Sequence, residues 1–211
     1  MHVLGLASQK GGAGKTTLAA HMAVEAERSG AGPVAVVDTD PQGSLSAWWN
    51  TRAAHTPLFA AVDIAQLATH LAALESRGIR LVVIDTPPAL IDTIKNVLSV
   101  ADVVLIPARP SPHDLRAVAT TVEMVEEAGK RLVFVINGAT PRTTIAADAV
   151  RVLAQHGRVA PVTIHQRIDF AASMIDGRTV GELNPQSRSA QEIADLWKYV
   201  KTQISKCVRR P

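Results

Sequence analysis

Residues 9–17 read QKGGAGKTT; the apolar run HVLGLAS (2–8) comes just before them, and they lead into TTLAAHMAVEAERSG (16–30). An apolar run that breaks into glycines and then into an Ala-rich helical stretch is the strand–loop–helix context of a phosphate-binding loop. Glycines let the backbone approach a phosphate with no Cβ in the way. Successive N–H groups at a helix N-terminus then supply positive potential. On this reading Gly11, Gly12, Ala13 and Gly14 form the loop, and Lys15 reaches the β- and γ-phosphates. The Thr16 hydroxyl is placed to ligate Mg²⁺ and Thr17 to meet the α-phosphate. The stretch departs from the ordinary G-x-x-x-x-G-K-[ST] pattern, because Gln9 stands where the first glycine belongs. It also carries a second lysine, Lys10, which a phosphate loop does not need.

Outward from the loop, apolar runs alternate with helical patterns along the whole chain. Strands are expected over 2–8, 33–38, 81–85, 102–108, 131–137 and about 159–164. Helices are expected over 16–30, 63–77, 91–100, 113–129, 143–156 and 190–210. Strands separated by helices of this length form βαβ units and a parallel sheet. No Pro/Gly/Ser-rich linker interrupts the pattern, so the expectation is a single α/β domain over 1–211, a mostly parallel sheet with helices on both faces. The composition, 47% apolar with only 3% aromatic, demands a core of Ala, Val, Leu and Ile. In the tail, Ile193, Leu196, Trp197, Val200 and Ile204 line one helical face. The neighbours Trp48 and Trp49 cannot both face the core of a helix, since adjacent side chains differ by about 100°.

Two further motifs place carboxylates at strand ends, the edge of an open α/β sheet where ligands bind. VVDTDPQGS (36–44) carries Asp38 and Asp40, and LVVIDTPP (81–88) carries Asp85 after four apolar residues. Asp38 can hold a water of a Mg²⁺ shell and Asp40 can orient an attacking water. Asp85 has the pattern of a second Mg²⁺-shell aspartate.

Several classes are disfavoured. A lone cysteine, Cys207, allows no disulfide framework or Cys-based metal cluster within one chain. The seven histidines show no ligand spacing, and there is no G-x-S-x-G elbow. The N-terminus lacks the build of a signal peptide, and no apolar run is long enough to cross a bilayer, so no stable membrane insertion is expected. The formal net charge of +3 permits an anionic partner without requiring one.

K-G-G-x-G-K-[ST] at 10–16 together with D-x-D-P-Q-G at 38–43 resembles the ParA/MinD family of deviant Walker ATPases. ADVVLIPARPSPHDL (101–115), INGATPRT (136–143) and IHQRIDFAASMIDGRTV (164–180) extend the resemblance over nearly the whole chain. The resemblance implies a P-loop NTPase fold, ATP and Mg²⁺ as cofactors, and ATP hydrolysis. It implies that Lys10 reaches across an ATP-dependent homodimer to the partner's phosphates, that Asp40 positions the hydrolytic water, that Asp38 and Asp85 support Mg²⁺, and that Asn137 meets the adenine. It also implies that Thr86, Pro87 and Pro88 begin switch II.

The function so implied is a ParA-like ATPase that binds DNA nonspecifically and segregates or positions plasmid or chromosomal DNA. A ParB-class partner or an analogue would stimulate it, and it would lie in the cytoplasm on the nucleoid. Because the chain starts at its first strand, the N-terminal helix-turn-helix of larger partition ATPases is not expected. Arg158, Arg167, Arg178, Arg188, Lys198 and Lys201 form the pool of candidate DNA contacts. The alternatives are a MinD-like membrane-associated regulator, whose mark would be the amphipathic tail helix, and a ParA-like positioner of a protein cargo.

Overall fold

The structure, a computed structural model, describes residues 1–88 and 90–207. Its strands are β1 (His2–Leu6), β2 (Val34–Asp38), β3 (Leu58–Phe59), β4 (Leu81–Asp85), β5 (Val103–Ala108), β6 (Arg131–Ala139) and β7 (Arg158–His165). They form one sheet in the order β3-β2-β4-β1-β5-β6-β7. The sheet was expected to be mostly parallel; every strand pair in it is parallel. All residues of β4 and β5 are buried, as strands covered on both faces must be.

The helices are α1 (Lys15–Arg28), α2 (Ser44–Asn50), α3 (Leu67–Ser76), α4 (Ile91–Val100), α5 (Pro112–Glu127), α6 (Ile145–Leu153), α7 (Ile168–Met174), α8 (Val180–Leu183) and α9 (Arg188–Ser205). The two-residue alternation of the strands divides them into two layers. Leu4, Leu6, Leu81 and Val83 face a layer built from α1, α2, α7 and α9. Val3, Val82 and Ile84 face α3, α4, α5 and α6. Helix α1 leaves β1 on the first face and α4 leaves β4 on the other, so the two central neighbours part at their C-terminal ends and open a crevice there.

The expected tail helix is present as α9, and Ile193, Leu196, Trp197, Val200 and Ile204 are at most 4% exposed. That apolar stripe packs on the α1 face of the sheet, so it is not open to a lipid surface. Residues 208–210, the end of the expected helix, lie outside the described residues. No helix among the described residues is long and apolar enough to cross a membrane. Helices α2, α7 and α8 and the two-residue β3 have no clear periodic signal. They are too short for hydrophobic period to register.

The two tryptophans of α2 diverge as helical geometry requires. Trp48 is buried and donates its indole N–H to the Arg178 carbonyl at 3.2 Å. Trp49 donates to the Pro57 carbonyl at 2.8 Å and leans on Phe59. Just after α2, Arg52 lies over the Trp48 ring, 4.9 Å from its centroid, with its side chain only 2% exposed. It grips Glu182 through both terminal nitrogens, at 2.8 and 3.1 Å. Glu182 in turn accepts from the Thr179 backbone N–H at 2.8 Å and completes a capping box on α8.

His21 ties α1 to the same segment. Its Nδ1 lies 2.7 Å from the Thr17 carbonyl and Nε2 accepts from the Val180 backbone N–H at 3.2 Å. The two contacts define a neutral ring protonated at Nδ1. Complete burial pushes the His21 pKa down from 6.5 to about 4, against the pull of the Thr17 carbonyl and the Glu182 charge. The unfolded chain therefore takes up this proton first as pH falls. The contribution is fully present above about pH 6.5 and is lost between that value and about pH 4. At saturation the loss approaches roughly 3 kcal/mol. Urea denaturation at pH 7 and pH 4.5 is expected to show a smaller acid loss of stability in His21→Gln than in wild type. Equal losses would mean that His21 does not titrate in this environment.

Candidate functional site

The glycine loop leaves β1 and closes onto the start of α1. Gly14 caps α1 in the left-handed region, with φ +96°, a conformation few residues with a Cβ adopt. A Cβ at Gly14 would also overlap the Asn137 side-chain amide. That amide donates to the Ala13 carbonyl at 2.7 Å and braces the loop from the end of β6. Asn137 was expected as an adenine contact. Here its nitrogen is committed to the loop, while the residue still lines the cavity beyond Gly14.

Lys15 is 6% exposed and its ammonium donates to the Ser8 carbonyl at 3.1 Å. Burial lowers its pKa, opposed by the nearby charges of Asp85 and Asp40. The Thr16 hydroxyl donates to Asp85 Oδ2 at 2.5 Å, so the loop helix and the end of β4 meet at one point. Asp85 is fully buried and its Oδ1 has no hydrogen-bond partner among the described residues. Burial pushes its pKa up to about 7, with Asp38 and Asp40 adding to the rise and the Thr16 hydroxyl and Lys15 opposing it.

Asp38 stands opposite Asp85 in the β2–β4 register. Its Oδ1 accepts from the Asp40 N–H at 3.1 Å, and its Oδ2 accepts from the Ser46 N–H at 2.8 Å and hydroxyl at 2.9 Å. Asp38 thereby shapes the 39–46 turn as well as facing the site. Asp40 accepts from the Gln42 N–H at 2.9 Å. Thr39 fastens the turn to β4, donating from N–H and hydroxyl to the Asp85 carbonyl at 3.1 and 2.7 Å. Thr86 donates to the Leu6 carbonyl at 2.7 Å, so the segment after β4 is tied to the strand that feeds the loop.

The Mg²⁺ implied by the sequence can be tested against these residues. A hydroxyl and a buried carboxylate in contact, with one carboxylate oxygen left without a partner, suit a hard cation that takes oxygen ligands. Thr16 would ligate the ion directly. Asp85, with Asp38 beside it, would hold waters of its shell. Mg²⁺ usually takes its remaining ligands from water and substrate phosphate, which fits so small a protein ligand set.

Lys10 is exposed, and its ammonium makes no hydrogen bond or ion pair among the described residues. The odd residue beside it, Gln9, faces α5: its N–H lies 3.4 Å from the Thr121 hydroxyl and its amide 3.4 Å from the Met124 sulfur. Past Gly14 and Thr17 lies a cavity of about 190 Å³, lined also by Leu18, Arg109, Asn137, Gly138, Ile164, Gln166, Phe170 and Met174. Arg109 and Gln166 carried no signal in the sequence, since neither belongs to a motif with a stated chemistry.

Of the candidate DNA contacts, Arg167 is held by Glu192 at 2.6 Å and Arg178 by Asp176 at 2.7 Å. Arg158, Arg188, Lys198 and Lys201 are exposed.

Comparison with known proteins agrees with this geometry. Residues 4–180 match the CbiA family, the CobQ/CobB/MinD/ParA nucleotide binding domain. The chain is 30% identical over 198 residues to maintenance of carboxysome distribution protein A of Halothiobacillus neapolitanus, covering 90% of this chain and 91% of the relative. It is 28% identical over 239 residues to the chromosome-partitioning ATPase Soj of Thermus thermophilus, covering 95% and 96%. Among solved structures, the septum site-determining protein MinD complexed with Mg-ADP from Pyrococcus horikoshii has the same fold. The TM-score is 0.80 over 99% of both chains, at 17% identity. The chain therefore belongs to the CobQ/CobB/MinD/ParA nucleotide-binding family.

Proposed function

We propose that this protein is a Mg²⁺-dependent ATPase that dimerises on ATP and uses its hydrolysis cycle to position a cargo. The observation that carries the reading is the meeting of Thr16 and Asp85 at 2.5 Å, with the loop lysine buried alongside. The loop N–H groups of Gly11–Gly14 and Lys15 would bind the phosphates, and Thr17 would meet the α-phosphate. When bound, Mg²⁺ neutralises phosphate charge as the γ-phosphoryl group departs. Asp40 would orient the attacking water, because it sits in the turn that Thr39 fastens to the end of β4. Lys10 would complete the charge stabilisation in the partner subunit's site, much as an arginine finger does. Its exposure, and the absence of a partner for its ammonium among the described residues, support that role.

The relatives bear on the cargo. The carboxysome distribution protein, similar over nine-tenths of both chains, supports a protein assembly as cargo more than it supports plasmid or chromosomal DNA. The likeness to Soj keeps DNA segregation as the second reading. In both readings the ATP-bound dimer would travel on nonspecific DNA over the nucleoid. A cargo-bound partner of ParB class or analogous type would trigger hydrolysis. The MinD-like membrane reading loses support, because the apolar face of α9 is packed inside the protein.

Asp40→Ala is expected to bind ATP normally, to lower kcat roughly a hundredfold or more, and to elute as a dimer with Mg-ATP in size-exclusion chromatography. Turnover at the wild-type rate would remove Asp40 from its role. Lys10→Ala is expected to retain ATP binding but to lose ATP-dependent dimerisation and at least roughly tenfold in turnover. Full activity in a monomeric Lys10→Ala would exclude action in trans. Fluorescence anisotropy of a labelled random-sequence duplex is expected to rise with protein and Mg-ATP but not Mg-ADP, and the binding should weaken steeply with salt. Nucleotide-independent binding, or none, would count against a DNA track.

A further inference from the structure

The cavity beside the loop has two unlike sides. Leu18, Ile164, Phe170 and Met174 belong to the apolar layer on the α1 face of the sheet. Arg109, Gly138 and Gln166 come instead from the C-terminal ends of β5, β6 and β7. Gly138 has φ +68°, and a Cβ there would lie 3.3 Å from Gln166 Oε1 and 3.7 Å from Arg109 Nε. The bare glycine lets the arginine and the glutamine approach closely on either side of it.

Arg109 has no other assignment. It is exposed, and its guanidinium makes no hydrogen bond or ion pair among the described residues, while its carbonyl accepts from the Ser111 N–H at 2.8 Å. The other arginine on the wall, Arg167, is spent on Glu192 at 2.6 Å. The phosphate end of the site does not reach here: Lys15 and Thr16 do not line this cavity, whereas Gly14, the last residue of the loop, and Thr17, in the first turn of α1, do. A ligand anchored by its phosphates on the loop would therefore place its nucleoside half in this slot. A planar guanidinium facing an apolar-backed slot has the chemistry to stack on a purine face.

We propose that Arg109 is a specificity-determining residue that stacks on the nucleobase and separates a nucleoside triphosphate from a bare polyphosphate. The inference rests on the nucleotide reading of the loop. Its test compares Mg-ATP with inorganic tripolyphosphate, which has the phosphates and no base. Dissociation constants are measured by competition against a fluorescent ATP analogue for wild type, Arg109→Ala and Arg109→Lys. Thermal melts run in parallel to establish that these surface variants are folded.

Arg109→Ala is expected to weaken ATP roughly three- to tenfold while tripolyphosphate affinity stays unchanged. Arg109→Lys, with the charge but without the plane, is expected to recover only part of the loss. Equal weakening of both ligands would mean that Arg109 meets phosphate, and it would overturn the proposal. An Arg109→Ala that binds ATP as wild type does would overturn it as well, with the nucleotide reading intact. A wild-type protein that binds neither ligand would overturn that reading and this one together.

Discussion

A carboxylate kept wholly out of water at the end of a central strand is a costly thing to build, and much of this protein is arranged around one. Asp85 is reached by the Thr16 hydroxyl on one oxygen and by nothing among the described residues on the other. Desolvation disfavours its charge, and the neighbouring Asp38 and Asp40 disfavour it further. Only Lys15 and the hydroxyl oppose them. A site with that imbalance favours a ligand that brings positive charge to the carboxylates and negative charge to the lysine and the helix N-terminus. A metal–polyphosphate complex brings both at once.

The same centre is mechanically linked to distant surfaces. The turn carrying Asp40 hangs from the Asp85 backbone through Thr39 and leads into α2, whose Trp48 bonds to the Arg178 carbonyl. Arg52, after α2, clamps Glu182. From the other side, Thr17 passes through His21 to Val180. The loop helix and the acidic turn thus converge on one short segment, residues 177–182, which follows directly from α7. Phe170 and Met174 of α7 line the cavity, while Ile168 and Ile175 at its two ends are at least 80% exposed. Movement of the acidic turn has a direct structural route to that outward face.

The sequence was most legible where chemistry and period coincide. The loop, the strands before Asp38 and Asp85, and the long helices each carry several residues that agree, so their placement held to within a few residues. Legibility failed for α7, α8 and β3, which are too short for a period and are fixed by tertiary contacts such as the Arg52–Glu182 pair, 130 residues apart. It failed also for Arg109 and His21, whose environments arise only when β5, α7 and α8 are in place. Asn137 was expected as an adenine contact, and the loop-bracing bond of its amide was not foreseen. That bond depends on how close Gly14 comes, and spacing along the chain says nothing about it.

The contact of Asn137 with the loop spans 124 residues and joins the glycine loop ahead of α1 to the sixth strand. The loop's final shape is therefore not a local property of QKGGAGKTT. It is completed only where β6 stands in place to brace it. A nascent chain released before residue 137 would carry the whole motif and lack its brace. A side chain can enter at position 14 only if the Asn137 amide retreats.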